Sequence, residues 1–168
     1  MSTSTKPKST PAPLKRPATA DHLRSQKKPI RLTVDILLED IPEPSESEGD
    51  EAWDAYRQRV AEATATMTFQ SIGRKRYDGL VDAHPPTEQN REEAKQRDED
   101  PPAWNPETFM PALVRASCAE PELSEEDVQS IFDEWNQGEL LELWQAALYV
   151  NTQRRTANLG KGFGRTKG

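Results

Sequence analysis

The sequence predicts an α+β fold that is mainly helical, with a small two-stranded β element packed against a C-terminal helical bundle. Two segments of alternating apolar and polar residues, 30–38 and 64–73, indicate the strands. Apolar residues at helical spacing recur after residue 105 and indicate the bundle. Of the 168 residues, 33% are hydrophobic, 30% are charged and 14 are prolines. This composition is poor for a fully globular chain, so we expect part of it to be disordered.

The net charge of −7 hides two basic ends around an acidic body. Residues 1–31 sum to +7 and residues 151–168 to +5, which leaves −19 for residues 32–150. We therefore predict a disordered basic arm over 1–29, one mostly helical domain over 30–150 and a flexible basic tail over 151–168. The acidic body would repel phosphates, which argues against nucleic-acid binding by the domain. The arm is expected either to solubilise the protein or to bind a partner.

Cysteine usage and hydropathy favour a cytoplasmic protein. The single cysteine, Cys118, allows no internal disulfide and no cysteine cluster for a metal, which fits a reducing compartment. The N-terminal lysines are not followed by the apolar run of a signal peptide. No stretch approaches the roughly 20 apolar residues needed to span a bilayer, so no membrane partner is expected.

The two predicted strands are separated by a predicted helix. Residues 30–38 alternate apolar and polar side chains, and residues 64–73 do so again, with Met67 and Phe69 on one side. Between them, residues 50–65 are predicted to be helical because three apolar side chains recur on one face. These are Trp53, Tyr56 and Val60. A helical crossover would suit a parallel strand pair, and an antiparallel pair is also open.

A short helix is predicted over residues 74–83. It begins after Gly73 and ends at His84, since the residue before a proline disfavours the helical region. Residues 87–102 contain one apolar residue, and they form either a solvated helix or an acidic linker.

The C-terminal part predicts three helices. Asn105 caps the first of them and is followed by a proline at the first helical position. Ser124 caps the second, with Asp127 three residues further on, which nearly forms a capping box. Gly138 is expected to end the second helix, and residues 140–150 form the last and most apolar one.

No catalytic, cofactor or metal site is predicted. Gly73 lacks the further glycines of a phosphate-binding loop. His84 is expected to have a structural role at a helix end, because a catalytic histidine needs a nucleophile or an orienting acid placed by the fold. Cys118 is predicted to lie on the apolar face of its helix, where a buried thiol is inert, and no Cys–His arrangement is apparent. The carboxylates fall in charge runs and helix caps, so no pair stands out as acid and base. We therefore expect a protein that is not an enzyme.

The four tryptophans are the remaining feature of note: Trp53, Trp104, Trp135 and Trp144. In so small a core, most of them are expected to be packing anchors. Any that is exposed would mark a surface for a partner, where aromatic residues are enriched.

Two stretches of the chain share their order with a known family. They are TFQSIGRKRYDGLVDAHPPT and, after an acidic spacer, WNPETFMPALVRASCAEPELSEEDVQSIFDEWNQGELLELWQAALYVNTQ. In this order they resemble the tail assembly chaperones of long-tailed siphophages that infect actinobacteria. The resemblance covers about residues 66–160. It is most specific at 73–77, 84–87, 104–113 and 135–139.

The resemblance implies a non-enzymatic chaperone without a cofactor. Such a protein binds the tape measure protein, its client, and keeps it soluble in the host cytoplasm while tail-tube subunits assemble around it. It is not expected in the mature virion. The tail-tube protein and a longer form of the chain, made by programmed ribosomal frameshifting, are further implied partners. The resemblance also places Gly73, Arg74 and Tyr77 in a strand-to-helix turn, with His84 and Pro85 at the helix end.

A helical client would suit an apolar groove between helices. The candidates for lining that groove are Trp135, Leu140, Leu143, Trp144 and Leu148. The alternative is that these side chains are core residues.

Two other classes of protein stay open beside the chaperone. One is a structural or adaptor protein of a phage tail, which purified virions would contain in stoichiometric amounts. The other is a regulatory nucleic-acid binder that acts through its basic arms, and its DNA binding would depend on salt.

Overall fold

The alternating segments form an antiparallel β-sheet, and helices cover one face of it. A computed structural model of the protein describes residues 19–153. The elements in this part of the chain are α1 (Ala20–Gln26), β1 (Arg31–Leu37), α2 (Asp50–Ala63), β2 (Thr64–Gln70), α3 (Arg74–Ala83), α4 (Glu88–Gln96), α5 (Pro106–Ser117), β3 (Cys118–Glu120), α6 (Glu125–Glu134) and α7 (Gln137–Thr152). The predicted class, α+β and mainly helical, is confirmed.

β1 and β2 form the main ladder of the sheet. They run antiparallel, from Arg31 opposite Gln70 at one end to Leu37 opposite Thr64 at the other. The antiparallel alternative is therefore the correct one. Except for Leu37, the apolar side chains of both strands share one face and are buried or half-buried there, whereas the residues of β1 that point to the other face, Leu37 among them, are exposed.

A third strand corrects the prediction of a two-stranded element. β3 pairs antiparallel with β2, with Cys118 opposite Phe69 and Glu120 opposite Thr68, and the register shifts between those two pairs. Sequence periodicity misses β3 because three residues are too few to show alternation and they follow directly on α5. Cys118, predicted to lie on the apolar face of the preceding helix, lies in this strand instead, because α5 ends at Ser117; its predicted burial is confirmed.

The core lies between the sheet and helices α5 and α7. Its largest fully buried side chains are Phe69, Phe109, Leu113, Leu143, Val114 and Val150. α7 packs across β1, β2 and α5, while α3 and α6 contact α5. Trp104, Trp135 and Trp144 are half-buried against this core, as expected of packing anchors.

Side-chain caps set the starts of the C-terminal helices. Asn105 caps α5, and Ser124 with Asp127 forms a complete capping box at α6, so both predictions are confirmed. Asn136 forms a further capping box at α7. Gly138 lies in the first turn of α7, and the prediction that it ends the preceding helix is wrong, because α6 has already ended at Glu134.

The predicted arm and tail are partly helical. α1 lies within the predicted disordered arm, 1–29, where the Thr19 hydroxyl accepts a hydrogen bond from the third residue of the helix and the first turn is acidic. Its side chains are all exposed. α7 runs two residues into the tail predicted over 151–168. The rest of the arm and tail, residues 1–18 and 154–168, lies outside the described residues.

The predicted acidic linker at 87–102 contains α4. Thr87 and Asn90 form a capping box at its start, and Ala94 is its one buried residue. The solvated-helix alternative therefore holds for this part of the segment, since the cap compensates for the lack of an apolar face.

Asn151, in the last turn of α7, ties three parts of the fold together. Its Nδ2 donates to Ser117 Oγ at 2.8 Å and to the Ala147 carbonyl at 2.8 Å, and its Oδ1 accepts from the Ile72 N–H at 2.9 Å. Ser117 is 1% exposed and Asn151 is half-buried, so this hydrogen-bond network is partly shielded from water. It holds the end of α7 against α5 and against the turn after β2.

Candidate functional site

The stretch that begins at Gly73 forms the turn from β2 into α3. Gly73 is the N-cap residue with φ 81°, a left-handed conformation that favours glycine, and its carbonyl accepts from the Tyr77 N–H at 3.1 Å. The Arg74 side chain is 94% exposed and lies 3.3 Å from Asp78. Lys75 and Arg76 are also exposed. The geometry is that of a tight turn with solvated basic side chains.

The other end of α3 is tied to the start of α5. His84 is the C-cap residue of α3, and its carbonyl accepts from the Asn105 N–H at 2.8 Å. The rings of Tyr77 and His84 lie 5.9 Å and 6.3 Å from that of Phe109. Burial, followed by the nearby charge of Asp78, raises the pKa of the Tyr77 phenol above its ordinary value. Pro85 follows the helix and is exposed.

The buried thiol of Cys118 is not activated as a nucleophile. It donates to the Pro121 carbonyl at 3.2 Å, and burial raises its pKa. Among residues 19–153, no group of three or more His, Cys, Asp or Glu side chains is placed to hold a metal ion.

The five residues predicted to line a client groove separate into two sets. Leu140 is 7% exposed and Leu143 is 0% exposed. Both lie on the side of α7 that is packed in the core, and no client reaches them in this conformation. Trp135, Trp144 and Leu148 are half-buried at the edge of the core. Only the second set therefore reaches the surface.

Trp144 belongs to an aromatic cluster centred on Phe109. Trp104 stacks on Phe109 with 4.7 Å between ring centroids, and Trp144 meets Trp104 edge-on at 5.4 Å. Trp144 also lies 6.0 Å from Phe109. These contacts hold one side of the indole against the core and leave the remainder at the protein surface.

The face of α7 that points away from the core carries apolar side chains beside the exposed Glu142 and Gln145. Leu141 is 50% exposed and Tyr149 is 49% exposed, and the half-buried Trp144 and Leu148 lie between them in the sequence. Spacings of three, seven and eight residues from Leu141 place the four side chains on one side of the helix. We call these four residues the α7 outer stripe.

Sequence reasoning missed Leu141 and Tyr149. α7 is apolar around most of its circumference, so periodicity alone does not show which side is covered. One signal in the sequence could have indicated exposed apolar side chains on α7. The helix has more apolar residues than one buried face of a 16-residue helix requires.

A separate cleft of about 1080 Å³ opens between α3, α5, β3 and α6. Its walls combine apolar side chains such as Ile72 and Leu80 with the charged side chains of Arg76, Arg115 and Glu125. The last two lie 3.4 Å apart and link α5 to α6. None of the five predicted groove residues lines this cleft. Its walls come from segments distant in sequence, so no local pattern indicates it.

Comparison with known proteins gives no relative: the chain matches no protein-family model, no curated protein and no solved structure. Over residues 19–153, every helix is too short or too polar to cross a bilayer. The α7 outer stripe is the structural feature that points most directly to a binding function.

Proposed function

We propose that the protein is a phage tail assembly chaperone that binds the tape measure protein through the α7 outer stripe. It keeps this client soluble in the host cytoplasm and leaves it as tail-tube subunits assemble. The observation that carries the proposal is that Leu141 and Tyr149 are exposed on the outer side of a helix whose other side is packed in the core. The resemblance of residues 66–160 to tail assembly chaperones supports the choice of client.

The length of the stripe suits a helical client. Leu141 and Tyr149 are eight residues apart, which corresponds to about 12 Å along the helix axis, or roughly two turns. A client helix with apolar side chains at positions i, i+3 and i+7 presents a stripe of the same length. Ridges of one helix can then pack into the grooves of the other, with Trp144 as the largest contact.

Each copy of the chaperone is expected to bind weakly. Leu141 and Tyr149 are each about half exposed, so covering the remainder contributes about 1 kcal/mol per side chain. The loss of translational and rotational freedom on binding opposes this gain. Many weak contacts along a long client would cover its apolar surface and still be displaced by the tube protein.

The charge of the body supports a solubilising role. Residues 19–153 carry a net charge of −16. One client molecule coated with this protein resists association with another, because the two coats carry charge of the same sign. The α7 outer stripe would thus bind the client, and the acidic remainder of the surface would keep the complex soluble.

The test is co-expression of the tagged chain with the tape measure protein encoded near it, followed by affinity purification. The unmodified chain should co-elute with soluble tape measure protein. Joint replacement of Leu141→Asp and Tyr149→Asp should abolish co-elution, because it places two carboxylates in an apolar contact. The matched control is Leu23→Asp, at a leucine of α1 that is 60% exposed, and it should leave co-elution intact.

Circular dichroism would establish that each variant is folded. Co-elution that the double replacement leaves unchanged would contradict the assignment of the stripe. A tape measure protein that stays insoluble and unbound beside the unmodified chain would contradict the chaperone function itself. Finding the chain in stoichiometric amounts in purified virions would favour a structural protein of the tail.

A further inference from the structure

β1 has one hydrogen-bonded edge and one open edge. The Ser71 N–H donates to the Ile30 carbonyl and the Leu38 N–H to the Ala63 carbonyl, each at 2.9 Å, so the even-numbered residues of β1 bond to β2. The backbone groups of the odd-numbered residues point the other way. These residues are Arg31, Thr33, Asp35 and Leu37. Within residues 19–153, their backbone N–H and C=O groups have no hydrogen-bond partner.

Apart from the exposed charged side chains of Arg31 and Asp35, this open edge lacks the features that usually protect an edge strand. No proline lies within β1, its register with β2 is unbroken, and no charged side chain points inward from it. The four odd-numbered side chains are all exposed. The edge of β2 that faces away from β1, by contrast, is partly covered by β3. β1 is therefore the place where another strand can join the sheet.

We propose that the strand that joins is β1 of a second copy of this chain, in a two-fold symmetric dimer with a continuous six-stranded sheet. Lys27 and Lys28 precede β1, while Glu39 and Asp40 follow it, and all four are exposed. When two such strands pair antiparallel, the basic end of each lies beside the acidic end of the other. The charges around this strand thus favour pairing with itself.

The charges within the strand select one register. Bonding through the open edges requires odd-numbered residues to lie opposite odd-numbered ones. A two-fold axis at Thr33 sets Arg31 opposite the partner's Asp35 on both sides of the axis, and sets the two copies of Thr33 opposite each other. Both kinds of cross-strand pair are favourable. An axis at Asp35 would set two carboxylates against each other.

The side chains that form these pairs are already oriented on the exposed face of the sheet. Arg31 Nε donates to Gln70 Oε1 at 2.8 Å, and Asp35 Oδ1 accepts from Thr66 Oγ1 at 2.7 Å. These bonds leave the terminal guanidinium nitrogens and the second carboxylate oxygen for the partner. Within residues 19–153, neither Arg31 nor Asp35 takes part in an ion pair.

The same register also matches apolar side chains on the core-facing side. Leu32 lies opposite the partner's Val34, and Ile30 lies opposite the partner's Ile36. Ile30 and Leu32 are only half-buried in the single chain, so the partner strand covers apolar surface that the monomer leaves at its edge.

The first test is sedimentation equilibrium of the full chain from about 1 µM to about 1 mM, a range that covers weak protein–protein dissociation constants. The expected result is a monomer–dimer equilibrium. Thr33→Pro should abolish the dimer, because it removes the outward N–H at the centre of the pairing. That N–H has no partner in the single chain, so an edge strand tolerates the proline and the variant should fold.

The second test fixes the register by exchanging charges. Arg31→Asp alone, or Asp35→Arg alone, sets like charges opposite each other twice per dimer and should raise the dimer dissociation constant by about tenfold or more. The double variant Arg31→Asp with Asp35→Arg restores opposite charges and should return the constant to within about threefold of the original. Circular dichroism of each variant controls for folding.

Three results would overturn the proposal. They are a chain that is monomeric throughout the concentration range, a dimer that Thr33→Pro leaves intact, and a double variant that fails to regain the affinity lost in the single ones. If the chain is monomeric, the strand that pairs with the open edge of β1 would have to come from another protein. The measurement needs no client, so its failure is independent of the co-expression test on α7.

Discussion

The two faces of α7 contain similar side chains in different surroundings. On the inner face, Leu143 and Ala147 are 0% exposed and Val150 is 1% exposed, because they meet the sheet and α5. On the outer face, Leu141 and Tyr149 are about half exposed. One helix therefore carries a face that the fold covers and, on the other side, apolar side chains that it leaves exposed.

This difference separates folding from recognition. Apolar side chains on the inner face stabilise the native state, since their burial is complete within one chain. Those on the outer face contribute little to folding and remain available for a partner. Substitutions on the two faces should consequently affect different measurements, stability for the inner face and client binding for the outer face.

The largest effect is expected from shortening a side chain of the inner face. Leu143→Ala should lower the free energy of unfolding by about 2–5 kcal/mol, because it leaves a cavity at a fully buried position. Leu141→Ala, the matched change on the outer face, should stay within about 0.5 kcal/mol. Urea unfolding followed by circular dichroism measures both. Equal losses for the two variants would break the distinction between the faces.

A smaller effect is expected at the C-terminal end of the same helix. Asn151→Ala should cost about 1–3 kcal/mol, because the Ile72 N–H and the Ser117 hydroxyl lose their partner in a partly buried network. Thr152 lies one residue further on and is exposed, so Thr152→Ala serves as the control and should be close to neutral. A neutral Asn151→Ala would show that water replaces the amide at this position.

The smallest effect is expected for an interaction without burial. Asp127 in the cap of α6 is exposed, and hydrogen bonds from the Ser124 hydroxyl and N–H lower its pKa from the ordinary value of 3.8. Its ionised form is favoured in the folded state. The stability it adds is present above the pKa of the unfolded chain and is lost as the pH falls through the lower folded pKa.

Thermal unfolding from about pH 5 down to about pH 2.5 measures this contribution. The melting temperature of Asp127→Asn should fall slightly less over that range than that of the unmodified protein, because one carboxylate with a lowered pKa has been removed. An identical decline for both proteins would place the acid sensitivity at other carboxylates.

Local signals in the sequence were sufficient to predict the bounds of several helices and strands. The bounds of α3, residues 74–83, agree with the prediction because Gly73 and the prolines after His84 mark its ends within the chain itself. Ser124 and Asp127 indicate the start of α6 for the same reason, since a cap involves residues only three apart. The strands β1 and β2 also agree to within a few residues.

Parts of the candidate surface could not be predicted, because they depend on contacts between distant segments. Leu140 and Leu141 are adjacent leucines, yet one is 7% and the other 50% exposed. Their difference arises only when α7 turns one side to the sheet. Asn151 was predicted to begin a flexible tail, and its partner Ile72 lies 79 residues away.

The amino-acid sequence by itself determined the α+β class, the acidic body between basic ends, and most helix starts, because periodicity, charge and capping act over a few residues. The tertiary structure decided the antiparallel pairing of β1 with β2, the third strand and the side of α7 that remains uncovered. It also decided which edge of the sheet stays open. These features depend on which distant segments meet, and that outcome is set by how the whole chain buries its apolar surface.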